Sequence, residues 1–125
     1  MKNATLFIFA LLFIANVFGQ DKAKQIVRLA KLEIDSTQLE TYYAFLKEEI
    51  ETSIKVEPGV LTLYAVAEKG RPNRITILEI YANEEAYRKH IQTPHFLKYK
   101  NGTKEMVTSL ELVETIPLVP NMKIK

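Results

Sequence analysis

The residues best suited to acid–base chemistry are the two histidines, His90 and His95, which lie on either side of Pro94. Imidazole is the side chain that most readily exchanges a proton near neutral pH. Because Pro94 interrupts any helix through this segment, the pair lacks the i, i+4 spacing of a helical metal site. No cluster of carboxylates accompanies the pair in the sequence. The pattern therefore predicts acid–base residues and no metal site.

Their positions relative to helix ends favour different roles. Thr93 and Pro94 predict a helix start, with Thr93 as the N-cap and proline at the first helical position. His95 then lies in the first turn, where the helix dipole disfavours imidazolium and keeps the ring able to accept a proton. His90 lies near the end of the preceding helix and has the opposite bias. His95 is therefore the predicted base, and His90 a positioning or anion-stabilising group. A solvated or interface position is the alternative for both rings.

Hydrophobic periodicity predicts the elements that must hold these side chains. Alternating or β-rich runs predict four strands, at residues 26–34, 60–67, 74–81 and 109–116. Apolar residues at spacings of three and four predict an amphipathic helix after Thr37, and two short helices lie around the histidines. The order βαββαβ predicts an α+β, ferredoxin-like fold with one antiparallel sheet and helices on one face.

The ends of these elements carry local signals. Thr37 and Glu40 fit a capping box at the start of the first helix, and Pro58-Gly59 ends it. Residues 69–73 form a polar loop of about five residues between the second and third strands. Asn83 is the expected cap of the second helix. Gly102 is expected to weaken the third helix, whose apolar face extends to Met106.

The strands carry more apolar residues than one sheet face needs. Val60, Leu61, Leu63, Val66 and Leu78 lie on two neighbouring strands and point to both faces. The face without helices then requires a cover. This pattern predicts a homodimer in which two sheets pack together.

The N-terminal segment predicts export. A basic start is followed by the apolar run Ala4–Phe18, and small or compact residues precede Gln20. This pattern is typical of a cleaved signal peptide at residues 1–19, and it places the protein in the periplasm or outside the cell. A membrane anchor is the alternative, but the apolar run is shorter than the roughly 20 residues that a spanning helix needs. The predicted domain is 26–116, with a polar lead at 20–25 and a tail at 117–125.

Composition excludes several classes of function. The 17 basic and 15 acidic residues nearly balance, which gives no electrostatic reason to bind nucleic acid or, once the signal is removed, a membrane surface. The chain has no cysteine, so it forms no disulfide, thiolate nucleophile or iron–sulfur cluster. Its four glycines are scattered and offer no phosphate cradle.

Three stretches carry a resemblance to a known family: Glu57-Pro58-Gly59-Val60, Glu79-x-Tyr81, and His90-Ile-Gln-Thr-Pro-His-Phe-Leu-Lys-Tyr99. With the order of elements, they resemble the antibiotic biosynthesis monooxygenase domain, most closely its quinol monooxygenase branch. The resemblance covers residues 26–116. Its most specific part is the pattern His-x-x-Thr-Pro-His-(apolar)-x-x-Tyr.

The resemblance implies a dimeric α/β barrel that oxygenates a planar phenolic molecule, such as a quinol or anthrone, with dioxygen and without metal or flavin. Such chemistry needs a base, an apolar cavity and a group that holds the anion, because an ionised hydroquinone passes an electron to dioxygen more readily. Tyr81, Tyr87, Phe96 and Tyr99 are the expected substrate-binding residues. Their alternative is an ordinary place in the core.

Two other functions share this scaffold. The haem-degrading branch uses an asparagine on the first strand, a tryptophan and a histidine ligand. This chain has no tryptophan, no asparagine on that strand, and Lys100 where the histidine would be, so haem degradation is not expected. The second alternative is a non-catalytic dimeric barrel that binds an apolar small molecule or serves as a stress-responsive module.

Overall fold

The computed structural model describes residues 24–119, which form four strands and three α-helices. The strands are β1 (Ile26–Ile34), β2 (Val60–Glu68), β3 (Arg71–Tyr81) and β4 (Val107–Glu114). The helices are α1 (Leu39–Val56), α2 (Glu84–His90) and α3 (Pro94–Thr103). The predicted signal peptide and the end of the predicted tail lie outside the described residues. Within 24–119, no helix combines the length and apolarity needed to cross a membrane.

The four strands form one antiparallel sheet in the order β2-β3-β1-β4. β1 is central and pairs with β3 on one side and with β4 on the other. The chain order of strands and helices is the predicted βαββαβ, which confirms the ferredoxin-like α+β fold.

The helices cover one face of this sheet, where the core lies. The core residues alternate along β1 and β3 and pack against the apolar side of α1; they are Ala30, Leu32, Ile34, Tyr42, Leu46, Ile75 and Ile77. Each is nearly inaccessible to solvent. The alternation of strand residues and the three-to-four spacing along α1 therefore place the core as the sequence predicts.

The opposite face carries an apolar row that runs across all four strands. Tyr64 on β2 pairs with Leu78 on β3, Leu78 with Leu29 on β1, and Leu29 with Val113 on β4. Tyr64 remains 67% exposed, and the other three side chains are half-buried. No helix of the described chain lies over this row, so its apolar surface faces solvent in a single chain.

The start of the first helix differs from the predicted capping box. The capping residue is Asp35 and not Thr37. Its carboxylate accepts hydrogen bonds from the Thr37 amide (3.0 Å) and hydroxyl (2.7 Å). It caps a short 3-10 turn, Ser36–Gln38, after which α1 begins. These bonds hold the pKa of the Asp35 carboxyl below its usual value. The Thr37 cap was wrong because Asp35 binds the amide and hydroxyl of Thr37 and makes it part of the 3-10 turn.

Three further boundaries differ from the prediction. The β2–β3 connection is only Lys69–Gly70, because residues 71–73 continue β3, with Arg71 paired to Glu68. β4 begins and ends two residues earlier than expected. α3 ends at Thr103, so Met106 packs on the core from the connection to β4 and not from the helix.

Gly102 has a packing role in α3. A Cβ at this position would lie 2.5 Å from Cε1 of Phe45 on α1. The low helix propensity of glycine is therefore offset by the close approach of α3 to α1 that it permits.

Candidate active site

A cavity of about 550 Å³ lies between the helix-covered face of the sheet and the three helices. Its volume is within the range of small-molecule sites. Apolar side chains from the four strands and α1 form part of the wall. They include Leu46, Ile50, Leu63, Ile77, Leu110 and Leu112. The cavity can therefore hold a small molecule.

The corner between α2 and α3 holds both histidines beside this cavity. The hydroxyl of Thr93 donates to the carbonyl oxygen of His90 (2.8 Å) and accepts from the amide of Phe96 (3.2 Å). Pro94 is the first residue of α3, as predicted, and Thr93 is its N-cap. His90 is therefore the last residue of α2, and His95 lies in the first turn of α3. Both rings point to the same place.

That point is the carboxylate of Glu57, the residue that follows α1. Its Oε2 lies 2.9 Å from Nδ1 of His90 and 2.7 Å from Nε2 of His95. The amide of Glu57 donates to the carbonyl oxygen of Ser53, which fixes the residue to the end of α1. His90 is only 2% exposed, whereas the His95 and Glu57 side chains are 14% and 13% exposed.

A second carboxyl group, Glu49, lies on the other side of the His90 ring. Its Oε1 is 3.3 Å from Nε2 of His90 and accepts a hydrogen bond of 2.8 Å from the Ser53 hydroxyl. Glu49 and Ser53 are both buried, one turn apart on α1. The ring of His90 is therefore held between two carboxyl groups, Glu57 at Nδ1 and Glu49 at Nε2.

These two carboxyl groups differ in acidity. Burial raises the pKa of Glu49, and its hydrogen bond with Ser53 only partly opposes that effect. Burial also acts to raise the pKa of Glu57, but hydrogen bonds from His90 and His95 outweigh it and hold the pKa below its usual value. Glu57 therefore has the lower pKa of the two and is ionised near neutral pH.

The ionised state of Glu57 determines the tautomer of His90. A carboxylate only accepts hydrogen bonds, so the two imidazole nitrogens that face Glu57 carry hydrogen. In a neutral His90 ring, Nδ1 is then the donor and Nε2 carries the lone pair. This lone pair lies on the side of Glu49, which itself lines the cavity.

A third carboxyl group, Glu79, lines the cavity on β3. The hydroxyl of Tyr81 donates to Glu79 at 2.8 Å. Burial raises the pKa of Glu79, while this hydrogen bond and the charge of Arg28 oppose the shift. The Arg28 guanidinium lies 4.4 Å from the centre of the Tyr87 ring and its Nε is 2.6 Å from Glu114, so its position is fixed from two sides.

The predicted aromatic residues Tyr81, Tyr87, Phe96 and Tyr99 all lie on the cavity wall. The Tyr99 hydroxyl is 2.6 Å from that of Tyr42, and burial raises the pKa of Tyr99 to about 12. Both hydroxyl groups are therefore protonated near neutral pH and act as hydrogen-bonding groups.

The two histidines occupy different places. His90 lines the cavity, whereas His95 is not part of its wall and contacts Glu57 through Nε2. The sequence has no carboxylate cluster beside the histidines, but the fold brings the distant Glu57 to both rings. One nitrogen from each ring and one carboxylate oxygen lie within 4.8 Å of one another.

The sequence reading missed Glu49 and Glu79, although both carry a recognisable signal. Glu49 occupies the apolar side of α1, between Leu46 and Ser53, and Glu79 continues the inward-facing alternation of Ile77 on β3. An ionisable residue at a position that the pattern assigns to the core is costly to bury and is often functional.

Comparison with known proteins identifies relatives of this chain. The sequence model described as antibiotic biosynthesis monooxygenase matches residues 25–102. A crystal structure from Bacteroides thetaiotaomicron, named as a candidate antibiotic biosynthesis monooxygenase, is 61% identical, with a TM-score of 0.81 over 82% of this chain and 97% of that chain. No curated protein matches the sequence.

Two further structures extend the comparison. A candidate monooxygenase from Lactobacillus acidophilus is 33% identical, with a TM-score of 0.72 over 77% of this chain and 47% of that longer one. A candidate antibiotic biosynthesis monooxygenase from Nitrosomonas europaea shares the fold at 19% identity, with a TM-score of 0.72 over 78% of this chain and 94% of that chain. From the family match and the 61% identical structure, the chain belongs to the antibiotic biosynthesis monooxygenase family.

Proposed function

We propose that this protein is a cofactor-independent monooxygenase that oxidises a quinol- or anthrone-like aromatic molecule with dioxygen. The observation that carries the proposal is the buried imidazole of His90 on the wall of an apolar cavity, with its Nδ1 held by the carboxylate of Glu57. A carboxylate that fixes one imidazole nitrogen leaves the other in position to take a proton.

The reaction balances without an external reductant. An anthrone CH2 group and O2 give a carbonyl group and water, and a quinol ring C–H and two hydroxyl groups with O2 give a hydroxyquinone and water. One oxygen atom enters the substrate, the other leaves as water, and the substrate supplies the electrons. The protein therefore has to ionise the substrate and exclude bulk water.

His90 performs the ionisation in this proposal. A substrate hydroxyl, or the acidic CH2 of an anthrone, lies next to Nε2 and gives up its proton to that nitrogen. The resulting imidazolium is stabilised by Glu57, which accepts from Nδ1. The electron-rich anion then transfers an electron to dioxygen in the apolar cavity.

The surrounding residues hold the aromatic ring. Tyr81, Tyr87, Phe96 and Tyr99 offer ring faces and edges for stacking. Arg28, Lys100 and Lys104 supply positive charge on the wall, which suits an anion on the substrate. Specificity for a ring with oxygen substituents follows from the polar groups among the apolar and aromatic side chains of the wall, such as Glu49, Glu79 and His90.

Oxygen uptake tests the proposed reaction. Protein stripped of metal and flavin is supplied with a panel of hydroquinones and anthrones, and dioxygen consumption is followed with an oxygen electrode. We expect consumption above autoxidation, with one water formed for each oxygen atom incorporated from 18O2. No consumption above autoxidation, together with tight binding of a panel member, would instead support a binding module.

We further propose that the apolar row on the outer sheet face is covered by a second copy of the chain. The row crosses all four strands through Leu29, Leu78 and Val113, and Tyr64 at its end is 67% exposed. Sedimentation equilibrium should give twice the mass of one chain, and Leu78→Lys should give a monomer. A wild-type monomer at micromolar concentration would contradict this arrangement.

A further inference from the structure

We infer that Glu57, His90 and His95 form a binding site for one divalent transition-metal ion, for which Zn²⁺ is the probe. The site offers two imidazole nitrogens and one carboxylate oxygen. This donor set occurs in catalytic zinc sites and in the facial triads of other divalent metals, whereas Mg²⁺ and Ca²⁺ prefer oxygen ligands alone. The inference does not rest on the proposed oxygenase activity.

The distances within the cluster suit an ion. Oε2 of Glu57 lies 2.9 Å from Nδ1 of His90 and 2.7 Å from Nε2 of His95, and all three atoms lie within 4.8 Å of one another. A tetrahedral ion with ligands at about 2.0–2.1 Å needs ligand atoms about 3.3 Å apart. The carboxylate must therefore move outward by about half an ångström, and the two rings must approach each other.

The second nitrogen of His90 already has the partner that a metal-bound imidazole requires. Histidine ligands usually donate their other ring N–H to a carboxylate, which fixes the ring and increases its basicity as a ligand. Glu49 lies 3.3 Å from Nε2 of His90 and is held by the Ser53 hydroxyl. An ion at Nδ1 would place the hydrogen on Nε2, where Glu49 accepts it.

Charge and access also favour a cation. The cluster contains the carboxylate of Glu57, which is largely shielded from solvent, so a divalent ion offsets its negative charge. The side chains of His95 and Glu57 are 14% and 13% exposed, so an ion has a path from solvent and water can complete its coordination. Neither of these two residues lines the aromatic cavity, so His90 is the ligand that the metal site shares with the substrate site.

Metal binding and base catalysis compete for His90. With an ion on Nδ1, the hydrogen of the neutral ring lies on Nε2, and that nitrogen no longer accepts a proton from substrate. A bound metal ion is therefore expected to act against the metal-free oxygenase, as an inhibitor or a structural ligand.

The test measures binding to purified full-length protein that carries no polyhistidine tag and has been dialysed against chelator. Zn²⁺ is titrated by calorimetry, and Co²⁺ by visible absorption, with no aromatic substrate present. We expect one equivalent per chain and a Co²⁺ spectrum typical of four- or five-coordinate nitrogen and oxygen ligation. Wild-type protein without saturable binding would overturn the inference.

Three substitutions distinguish this site from surface binding. Glu57→Gln and His95→Gln should each weaken Zn²⁺ binding by at least about 100-fold, and Glu49→Gln by about 10- to 100-fold. Glu51→Gln removes an exposed carboxylate from the same helix and should bind as wild type does. Unchanged affinity in both Glu57→Gln and His95→Gln would reject the site. If Glu57→Gln does not fold, as judged by circular dichroism in chelator, His95→Gln decides, because His95 is partly exposed.

The same samples test the oxygenase proposal and the metal-site inference independently. Binding is measured without turnover, so an inactive protein that binds Zn²⁺ refutes only the oxygenase. An active protein that binds no Zn²⁺ refutes only the metal site.

Discussion

Replacement of His90 by glutamine is expected to lower oxygenase turnover by about 10²- to 10⁴-fold. Glutamine is similar in size and retains an N–H group for Glu57, but it has no nitrogen that accepts a proton at neutral pH. The loss should appear in kcat more than in KM, because proton transfer contributes in the transition state and not to substrate binding. Initial rates of dioxygen uptake measure both constants.

Two further variants serve as a control and a comparison for His90→Gln. Lys89→Gln changes the neighbouring residue on α2, whose side chain is 75% exposed, and should leave the rate unchanged. His95→Gln should have a smaller effect than His90→Gln, because His95 acts on the reaction only through Glu57. If His95→Gln is the more damaging change, the dipole-based assignment of His95 as base is preferred. A His90→Gln rate within twofold of wild type would exclude His90 as the base.

Replacement of Gly59 by alanine is expected to destabilise the fold by about 1–3 kcal/mol. A Cβ at Gly59 would lie 2.5 Å from Cβ of Ala86 on α2, well inside normal contact. The amide of Ala82 also donates to the carbonyl oxygen of Gly59 at 2.8 Å, so the two segments cannot separate without losing that bond. Urea denaturation followed by circular dichroism measures the change in unfolding free energy.

A double-mutant cycle identifies the cause of this loss. Ala86→Gly alone should cost up to about 1 kcal/mol through helix propensity. The double mutant Gly59→Ala/Ala86→Gly should lose less unfolding free energy than the two single mutants lose together, because Ala86→Gly removes the clash. Gly70→Ala is the matched control, since a Cβ there meets nothing within 4 Å, and it should change stability by less than about 0.5 kcal/mol. Strict additivity in the cycle would show that the Cβ contact is not the cause.

Local sequence patterns predicted the elements but not the contacts between distant ones. The alternation of Ala30, Leu32 and Ile34 is visible in nine residues of sequence and correctly assigns a strand face. The bond between Glu57 and His90 joins residues 33 positions apart and depends on how α1 and α2 dock. No periodicity encodes that distance, so Glu57 was recognised only as part of a turn.

Element ends were less predictable because neighbouring polar residues can each cap a turn or a helix. Asp35 and Thr37 both have side chains that can cap a helix, and only the folded backbone selects Asp35. The polar residues Arg71 and Asn73 resemble a loop in sequence, yet Arg71 pairs with Glu68 beyond a break in the β2–β3 register. The side-chain amide of Asn73 donates to the carbonyl oxygen of Ile34. Strand pairing thus determines the β-hairpin loop length more strongly than composition does.

The strand order β2-β3-β1-β4 determines the stage of synthesis at which the sheet can be completed. β1 is the first strand in the chain, yet it is central, and one of its two neighbours is the last strand. The contact from Arg28 to Glu114 joins residues 86 positions apart. A chain still emerging from the ribosome therefore leaves one edge of β1 unpaired until β4 is synthesised. Completion of the sheet must follow synthesis of nearly the whole domain. Pairing β1 with β4 closes a long loop of chain, which slows that final step.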